Sequence, residues 1–400
     1  MALTDFKPHF DNSYQEVFPK VLVGKKICNT RFEKQLTFGE SVERVAYDIS
    51  AVRVRNTVRG AVSTIDALSD TAETLLINLE KEAAFHISDG EVKQAGPLNP
   101  GEVIGGQIAI KVAADLDARI FAQVLNAAQT FDTGDLTTLA SSGVPITLGT
   151  ATVPQMVTRL PAKLRKTYNQ TITNMALVID SYGASDIEQY LLGKQFSIVE
   201  SVFKNGYAGL ISSAEVYVSE NLTGSVVFAD SGTFADGETF TINGVVFTMK
   251  TALSSGPAVA GEIVIGSDLA ASLTNIAAAI NAPDETTVTY TALSVADQLI
   301  ISDDLRLSAV ATATNVTLTG TGSGRLVVST DGASSSFSNN MIHCYYGKKG
   351  AIDLVIQDMK EVDMRPTSDR RGTNVFTSYL AGLKTFADGA KKFLNLKIAA

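Results

Sequence analysis

The stretch Glu102–Phe131, EVIGGQIAIKVAADLDARIFAQVLNAAQTF, carries an apolar side chain at every fourth position. The positions are Ile104, Ile108, Val112, Leu116, Ile120 and Val124. This spacing predicts a long amphipathic helix, and at 1.5 Å per residue its length is roughly 40 Å. Asp132, Thr133 and Gly134 follow it as a stop signal.

Composition limits the classes of protein. The chain has 400 residues, a formal net charge of −9 and a sequence pI near 5.0, which indicates a globular protein with mass for two or three domains. We expect no secretory signal, because the first residues lack a basic region followed by an apolar one. No apolar run reaches the roughly 18 residues that span a bilayer, so no membrane partner is expected. Cys28 and Cys344 are predicted to be free thiols.

Residues 1–35 contain Pro8 and Pro19 and show little periodicity, so we predict an extended N-terminal arm. Its aromatic content is too high for a freely solvated tail. We therefore expect the arm to lie along a surface, either its own or that of a neighbouring copy. The residues expected to make this contact are Phe6, Phe10, Tyr14 and Phe18.

Residues 36–88 predict a long hairpin. Two strand-like runs, Ser41–Arg55 and Thr74–Ile87, flank a more polar stretch. A long hairpin alone in water is marginally stable, so this one is expected to lie on a partner subunit. The charged side chains that we predict to contact that subunit are Arg44, Arg53, Arg55, Arg59, Asp66 and Asp70.

An ordered series of short motifs runs through this part of the chain and resembles the coat proteins of tailed phages. The matching residues are Gly39–Val42, Arg59–Gly60, Asp66–Ala72, Thr74–Ile77, Lys81 and Ala84–Asp89, followed by the long helix. A second block matches at Gly206, Gly209, Val216, Tyr217, Ser219, Asn221 and Leu222, and a third at Lys348–Ile352 and Gln357. The chain thus resembles major capsid proteins of the Hong Kong 97 (HK97) fold.

The resemblance implies an α+β protein with the parts of an HK97-like capsid fold. In that family the hairpin is the E-loop, which lies across a neighbouring subunit, and the long helix is the spine helix of the peripheral (P) domain. The segments expected here are the N-arm (1–35), the E-loop hairpin and P-domain strands (36–88), the spine helix and P domain (89–150), the axial (A) domain (151–224), a β-rich insertion domain (225–332) and the returning A- and P-domain strands (333–400).

The insertion is predicted from a change in composition. Residues 225–330 are rich in Thr, Ser, Ala, Gly and Val, with ten acids and three bases, Lys250, Arg306 and Arg325. Asn243–Gly244 predicts a tight hairpin turn. A helix is predicted over Ser267–Asn281 with Ser267 as its N-cap, and strands are predicted at Glu262–Gly266, Thr286–Leu293 and Asp297–Asp303.

Signals for catalysis are weak. Gly320–Gly324 is only loosely similar to a phosphate-binding loop, because strand-like residues follow it where a dinucleotide site needs a helix. His9, His86 and His343 lack metal-ligand spacing. We therefore assign no catalytic, cofactor-binding or metal-binding residue and predict that the protein is not an enzyme.

The resemblance implies a structural virion protein that self-assembles into an icosahedral shell around double-stranded DNA. Its expected partners are many copies of itself in hexamers and pentamers, portal and scaffolding proteins, a decoration protein as a further candidate, and packaged DNA bound weakly and without sequence specificity. Its expected location is the virion, after assembly in the host cytoplasm. Two alternatives stay open: another phage structural protein, of the tail-tube or decoration-like kind, and an enzyme with an unrecognised site.

Overall fold

The computed structural model describes residues 3–34, 39–48, 52–56, 59–60, 62, 65–66, 69–88, 100–168, 171, 173–193, 207–211, 214–232, 234–366 and 371–400. The motif match at Gly206 and the start of the predicted 89–150 segment lie outside these residues. Helices and strands alternate irregularly along the chain, which confirms the predicted α+β class.

The α-helices of the described residues are α1 (Leu3–Val21), α2 (Pro100–Ala122), α3 (Thr152–Tyr168), α4 (Ser181–Gly193), α5 (Leu269–Asn281), α6 (Val295–Leu299) and α7 (Ala387–Ala390). The strands are β1 (Ser41–Asp48), β2 (Ser69–Leu76), β3 (Leu79–Ile87), β4 (Thr130–Phe131), β5 (Met175–Ile179), β6 (Tyr207–Ile211), β7 (Ala214–Val218), β8 (Thr223–Asp230), β9 (Thr239–Ile242), β10 (Val245–Lys250), β11 (Glu262–Val264), β12 (Leu307–Ala311), β13 (Asn315–Gly320), β14 (Val328–Thr330), β15 (Ser335–Lys348), β16 (Asp353–Pro366), β17 (Thr373–Lys384) and β18 (Phe393–Ala399).

The predicted long helix is present as α2, but it ends earlier than its sequence pattern. The α-helix stops at Ala122, and one 3-10 turn follows over Gln123–Asn126. The chain leaves the helix there because β4 pairs with β18 and Phe131 is fully buried. The predicted apolar stripe faces the core, since Val112, Leu116, Ile120 and Val124 are all buried, with Ile104 and Ile108 packed against the same cluster.

The prediction of an extended N-terminal arm is wrong, because residues Leu3–Val21 form α1 and this helix packs on α2. Phe10, Tyr14 and Phe18 recur every four residues and therefore share one face of the helix. Pro8 and Pro19, which led to the extended interpretation, lie near the two ends of the helix, so the turns that carry the aromatic face stay intact.

Two adjacent glycines let α1 approach the backbone of α2. A Cβ atom at Gly105 would lie 2.7 Å from the carbonyl oxygen of Phe10, so no larger side chain fits there. At Gly106 the nearest atoms are the Ser13 hydroxyl at 3.2 Å and a Val17 methyl at 3.7 Å, both on flexible side chains. The Ser13 hydroxyl also donates a 2.7 Å hydrogen bond to the Glu102 carbonyl. Helix α1 is thus held against α2 by direct contact between the two backbones.

The predicted hairpin is formed by β1 and β2, which pair antiparallel from Ser41↔Leu76 to Asp48↔Ser69. The second predicted run, Thr74–Ile87, is divided between two sheets. Its first residues belong to β2, whereas β3 joins β17 and β16 in a three-stranded sheet. The hairpin therefore leaves the body at the junction between β2 and β3.

The central sheet has the order β12-β13-β8-β15-β5-β7-β6, with β18 on β15 and β4 on β18. It runs through the predicted insertion boundary, because β8 begins in the body and ends in the insertion, and β15, which follows the insertion, pairs with both parts of β8. The start of β8 pairs with Met341–His343 of the body, and its end pairs with Ser335–Phe337. The insertion nevertheless has a core of its own, built around β9, β10, α5 and the inner face of β13.

Several local predictions in the insertion and the A domain need correction. The Asn243–Gly244 turn is confirmed between β9 and β10, and both residues have positive φ. The helix α5 begins at Leu269 with Asp268 as its N-cap, because the Asp268 carboxylate accepts the Ala271 amide. Residues Asp297–Asp303 lie in α6 and a following π-turn instead of a strand, and Ser294 caps this helix. Thr286–Leu293 makes only an isolated bridge at Tyr290, β12 was not predicted, and α4 begins at Ser181 rather than at Ala184.

The glycine contact generates a paired prediction. Gly105→Ala should loosen α1, because the added methyl group meets a backbone oxygen that cannot rotate away, at a cost of about 1–3 kcal/mol. Gly106→Ala is the matched control: its neighbours can shift, and the gain in helix propensity is about 1 kcal/mol. The measurements are the thermal midpoint and the rate of limited proteolysis within α1. Equal behaviour of the two variants would contradict the assigned close approach.

Candidate assembly surfaces

The tip of the hairpin contains an ion pair within the chain. The Arg55 guanidinium binds the Asp66 carboxylate through two hydrogen bonds of 2.8 and 2.6 Å, and the Arg53 amide donates a third of 2.9 Å. The Arg55 contact and the Arg53 amide hold the pKa of Asp66 below its usual value. Arg55 and Asp66, which were predicted to reach a neighbouring subunit, are therefore bound to each other within this chain.

The base of the hairpin is anchored to the C-terminal part of the same chain. The Arg44 guanidinium donates a 2.6 Å hydrogen bond to Asp388 and lies 5.2 Å from the centre of the Phe386 ring. Phe386 packs with Leu75 and Ile77 in a small buried cluster. Arg44 thus fixes the direction in which the hairpin leaves the body. The remaining predicted contacts, Arg53, Arg59 and Asp70, have exposed side chains, and their role between subunits stays a prediction.

Large apolar side chains cover the hairpin. Ile65 is 92% exposed, and Val54 and Val62 are at least as exposed. We call the full set the hairpin surface: Val45, Val52, Val54, Val62, Ile65 and Leu76. Single exposed apolar residues are ordinary, but six on one element make the hairpin a candidate site of association. Sequence reasoning named charged contacts here and expected apolar burial by the hairpin to matter more, but it did not single out these residues.

The predicted arm contacts lie inside the chain's own core. Phe10, Tyr14 and Phe18 are buried, and their rings stack at centroid distances of 6.1 and 5.7 Å. Phe10 also stacks on Phe85 of β3. Of the two surfaces proposed for the arm, the structure places it on its own chain. Phe6 belongs to α1, and only its backbone position is described.

A buried carboxylate holds the end of the arm. Asp117 of α2 accepts the Gly24 amide at 2.7 Å and the Val23 amide at 2.9 Å, immediately after α1. Burial raises its pKa to about 7, although both amides and Lys26 favour the ionised form. Sequence reasoning did not single out Asp117. The signal was available, because Asp117 lies four residues from both Ala113 and Phe121 on the apolar face.

A buried hydrogen-bond chain links three neighbouring strands. The Ser225 hydroxyl lies 2.8 Å from His343 Nε2, and His343 Nδ1 lies 3.0 Å from the Asn395 amide oxygen. The arrangement has the order of a hydrolase triad, but all three residues are less than 10% exposed, so no substrate reaches the serine. Burial lowers the pKa of His343 to about 4, which keeps the imidazole neutral. This hydrogen-bond chain thus joins β8, β15 and β18.

The Gly320–Gly324 loop packs against the body of the protein. Gly322 has φ of +76°, and a side chain there would collide with Ala118 of α2. Gly324 N–H donates to the Leu222 carbonyl at 2.8 Å. The loop is therefore pressed against the body and does not form a phosphate cradle. Among the described residues, no group of three His, Cys, Asp or Glu side chains could hold a metal ion, and no helix is long and apolar enough to cross a membrane.

Asp117 generates a prediction for pH. Because its pKa is raised in the folded chain, the unfolding free energy should fall as the pH rises from about 4 to about 7, by up to about 4 kcal/mol. Asp117→Asn removes this fall in the unfolding free energy. It also loses one hydrogen bond from a backbone amide at every pH, which costs about 1 kcal/mol. Urea unfolding at pH 5 and pH 8 should show that the unfolding free energy of the variant increases relative to that of the parent as the pH rises. An unchanged difference between the two proteins would contradict the assignment.

His343 generates the opposite pH dependence. Its pKa is lowered on folding, so its contribution is complete above about pH 6.5 and is lost as the pH falls toward 4, by about 3 kcal/mol in total. His343→Gln should therefore reduce the acid sensitivity of the unfolding free energy between pH 7 and pH 4.5. A variant that is as acid-sensitive as the parent would show that other groups cause the loss.

Comparison with known proteins gives structural matches only. No family model matches the sequence, and no curated protein matches it. The chain is similar to a solved chain of Mycobacterium phage Che8, with 13% identity, a TM-score of 0.48 and coverage of 93% of this chain and 90% of that chain. It is also similar to the capsid structure of the cyanophage P-SCSP1u (10% identity, TM-score 0.44, coverage 90% and 84%) and to the capsid of Ralstonia phage GP4 (8% identity, TM-score 0.44, coverage 91% and 84%).

Proposed function

We propose that this chain is the major capsid protein of a tailed phage and that its copies assemble into an icosahedral shell around double-stranded DNA. The observation that carries the proposal is the hairpin surface. It exposes large apolar side chains on a projecting two-stranded element, while Arg44, Arg55 and Asp66 bind within the chain.

The hairpin surface needs a covering partner. Burying one Val or Ile side chain contributes about 1.5–3 kcal/mol, so burial of even part of this surface outweighs a surface ion pair of about 0–1 kcal/mol. A second copy of the chain is the partner that is always present at matching concentration. Each copy both offers a hairpin and receives one, and contacts of this head-to-tail kind form rings when the rotation between copies closes.

Many such contacts of moderate strength make a closed shell stable without any tight pair. Hexamers and pentamers of the chain, a portal and scaffolding proteins would complete the particle. A net charge of −9 favours weak, non-specific contact with packaged DNA, because strong phosphate binding requires clustered basic residues. The role is structural and non-enzymatic, located in the virion after assembly in the host cytoplasm.

The test is assembly of hairpin variants. Val54→Ser, Val62→Ser and Ile65→Ser, combined in one chain, should abolish particles and large oligomers, because the apolar contact between copies is lost. Electron microscopy and size-exclusion chromatography of the parent, expressed with a scaffolding protein if needed, should show shells or capsomers.

The matched control changes three equally apolar and exposed side chains of the insertion, as Val288→Ser, Val310→Ser and Val327→Ser. This control should assemble like the parent. Circular dichroism should be the same for all three proteins, since none of the changed residues is in a core. A hairpin variant that forms normal particles would contradict the proposed role of the hairpin. A parent that stays monomeric under every condition would contradict the shell itself.

A further inference from the structure

The insertion contains two arginines, Arg306 and Arg325, and both bind acids of the body. Arg306 pairs with Asp115 of α2, and Arg325 pairs with Asp180 at the end of β5. We propose that the insertion is an internal strut that fixes the long helix α2 to the body strands β5 and β18 of the central sheet. This role differs from that of a swinging appendage that carries a decoration or receptor-binding surface.

The first anchor joins three parts of the chain at one carboxylate. Arg306 Nη2 lies 2.6 Å from Asp115 Oδ1, while the other oxygen of Asp115 accepts the Tyr379 hydroxyl of β17 and, at 3.0 Å, Arg119 Nε. Arg306 has φ of +44°, an uncommon backbone conformation for a side chain of its size. Its guanidinium also donates to the Thr321 carbonyl at 3.3 Å. The insertion, α2 and β17 therefore meet at Asp115.

Close packing accompanies this ion pair. Gly322 lies against Ala118 of α2, and no side chain could be added at Gly322 without striking the Ala118 methyl group. Ala118 is buried although it lies away from the α1 contact. The loop that contains Gly322 thus fits closely against the helix. Arg306 Nη1 lies beside this contact, 3.3 Å from where a Cβ atom at Gly322 would be.

The second anchor lies at the junction of β5 and α4. Arg325 Nε donates a 2.6 Å hydrogen bond to Asp180 Oδ2, and Arg325 Nη1 donates to the Ala399 carbonyl at 3.2 Å. The guanidinium carbon lies 5.0 Å from the centre of the Tyr182 ring. The Asp180 side chain is 1% exposed and also accepts the Gly183 amide at 3.0 Å. Such a buried acid needs its cation, because an uncompensated charge in the interior is strongly unfavourable.

The covalent connections make these anchors effective. The insertion is joined to the body through β8, which runs from one part into the other, and through β15, which follows the insertion and pairs with β8. Two ion pairs to separate parts of the body restrict rotation of the insertion about these connections. The position of α2 relative to β5 and β18 is then set by the insertion as well as by the α1 contact.

The experiment uses the full chain before assembly, so its result does not depend on the proposed shell. Arg306→Met and Arg325→Met, singly and together, are compared with the parent by hydrogen exchange and mass spectrometry. The double variant should exchange at least about tenfold faster in peptides that cover α2 and the β5–α4 junction, because both anchors are lost. The four-stranded sheet β11-β10-β9-β14 should exchange at the parental rate.

Lys250→Met is the matched control, because it removes the third base of the insertion from β10 without touching either anchor. It should leave exchange in α2 and at the β5–α4 junction unchanged. The strut is overturned if the double variant exchanges at the parental rate in both regions, or if faster exchange is confined to the insertion. If the double variant does not fold, each single variant should loosen its own anchor, and two silent single variants would overturn the proposal equally.

Discussion

Small side chains along α2 are the constraint on which the rest of the structure depends. Gly105 lets α1 reach the helix backbone, and Ala118 receives the Gly322 loop of the insertion. Between them Ala109 and Ala113 are fully buried in the main core. A helix with larger residues at these places would still be amphipathic, but neither α1 nor the insertion could seat on it. The helix can therefore support both α1 and the insertion because its contact positions carry only glycine or alanine.

The acids of this chain divide into two kinds. In the insertion, five of the ten acids accept a backbone amide. Asp230, Glu238 and Asp268 do so in a local turn or helix cap, and Asp236 and Glu262 accept the amides of Thr251 and Ser254. Local capping of this kind explains how so acidic a segment folds with three bases. In the body, by contrast, Asp115, Asp117 and Asp180 hold distant segments together. The negative charge is thus partly a means of satisfying backbone donors.

The features that sequence could predict are those encoded by neighbouring residues. The apolar period of α2, the hairpin and the Asn243–Gly244 turn all follow from local patterns, and all are present. The arm was predicted wrongly because its prolines were given more weight than the spacing of Phe10, Tyr14 and Phe18. The pairings of Arg44, Arg306 and Arg325 join residues far apart in sequence, so no local pattern contains them. For the hairpin, charge was conspicuous in the sequence, whereas exposure of the valines depends on how the element projects.

The division between charged and apolar groups bears on how copies of the chain could associate. Within the chain, ion pairs fix the base of the hairpin and the seat of the insertion. The hairpin exposes large apolar side chains beside Arg53, Arg59 and Asp70, and apolar contact has no preferred direction. Under the proposed function, the angles of a closed shell must then come from rigid bodies, not from the contacts. A fixed hairpin base and a fixed α2 would supply that rigidity, while the net negative charge opposes association of copies in wrong orientations.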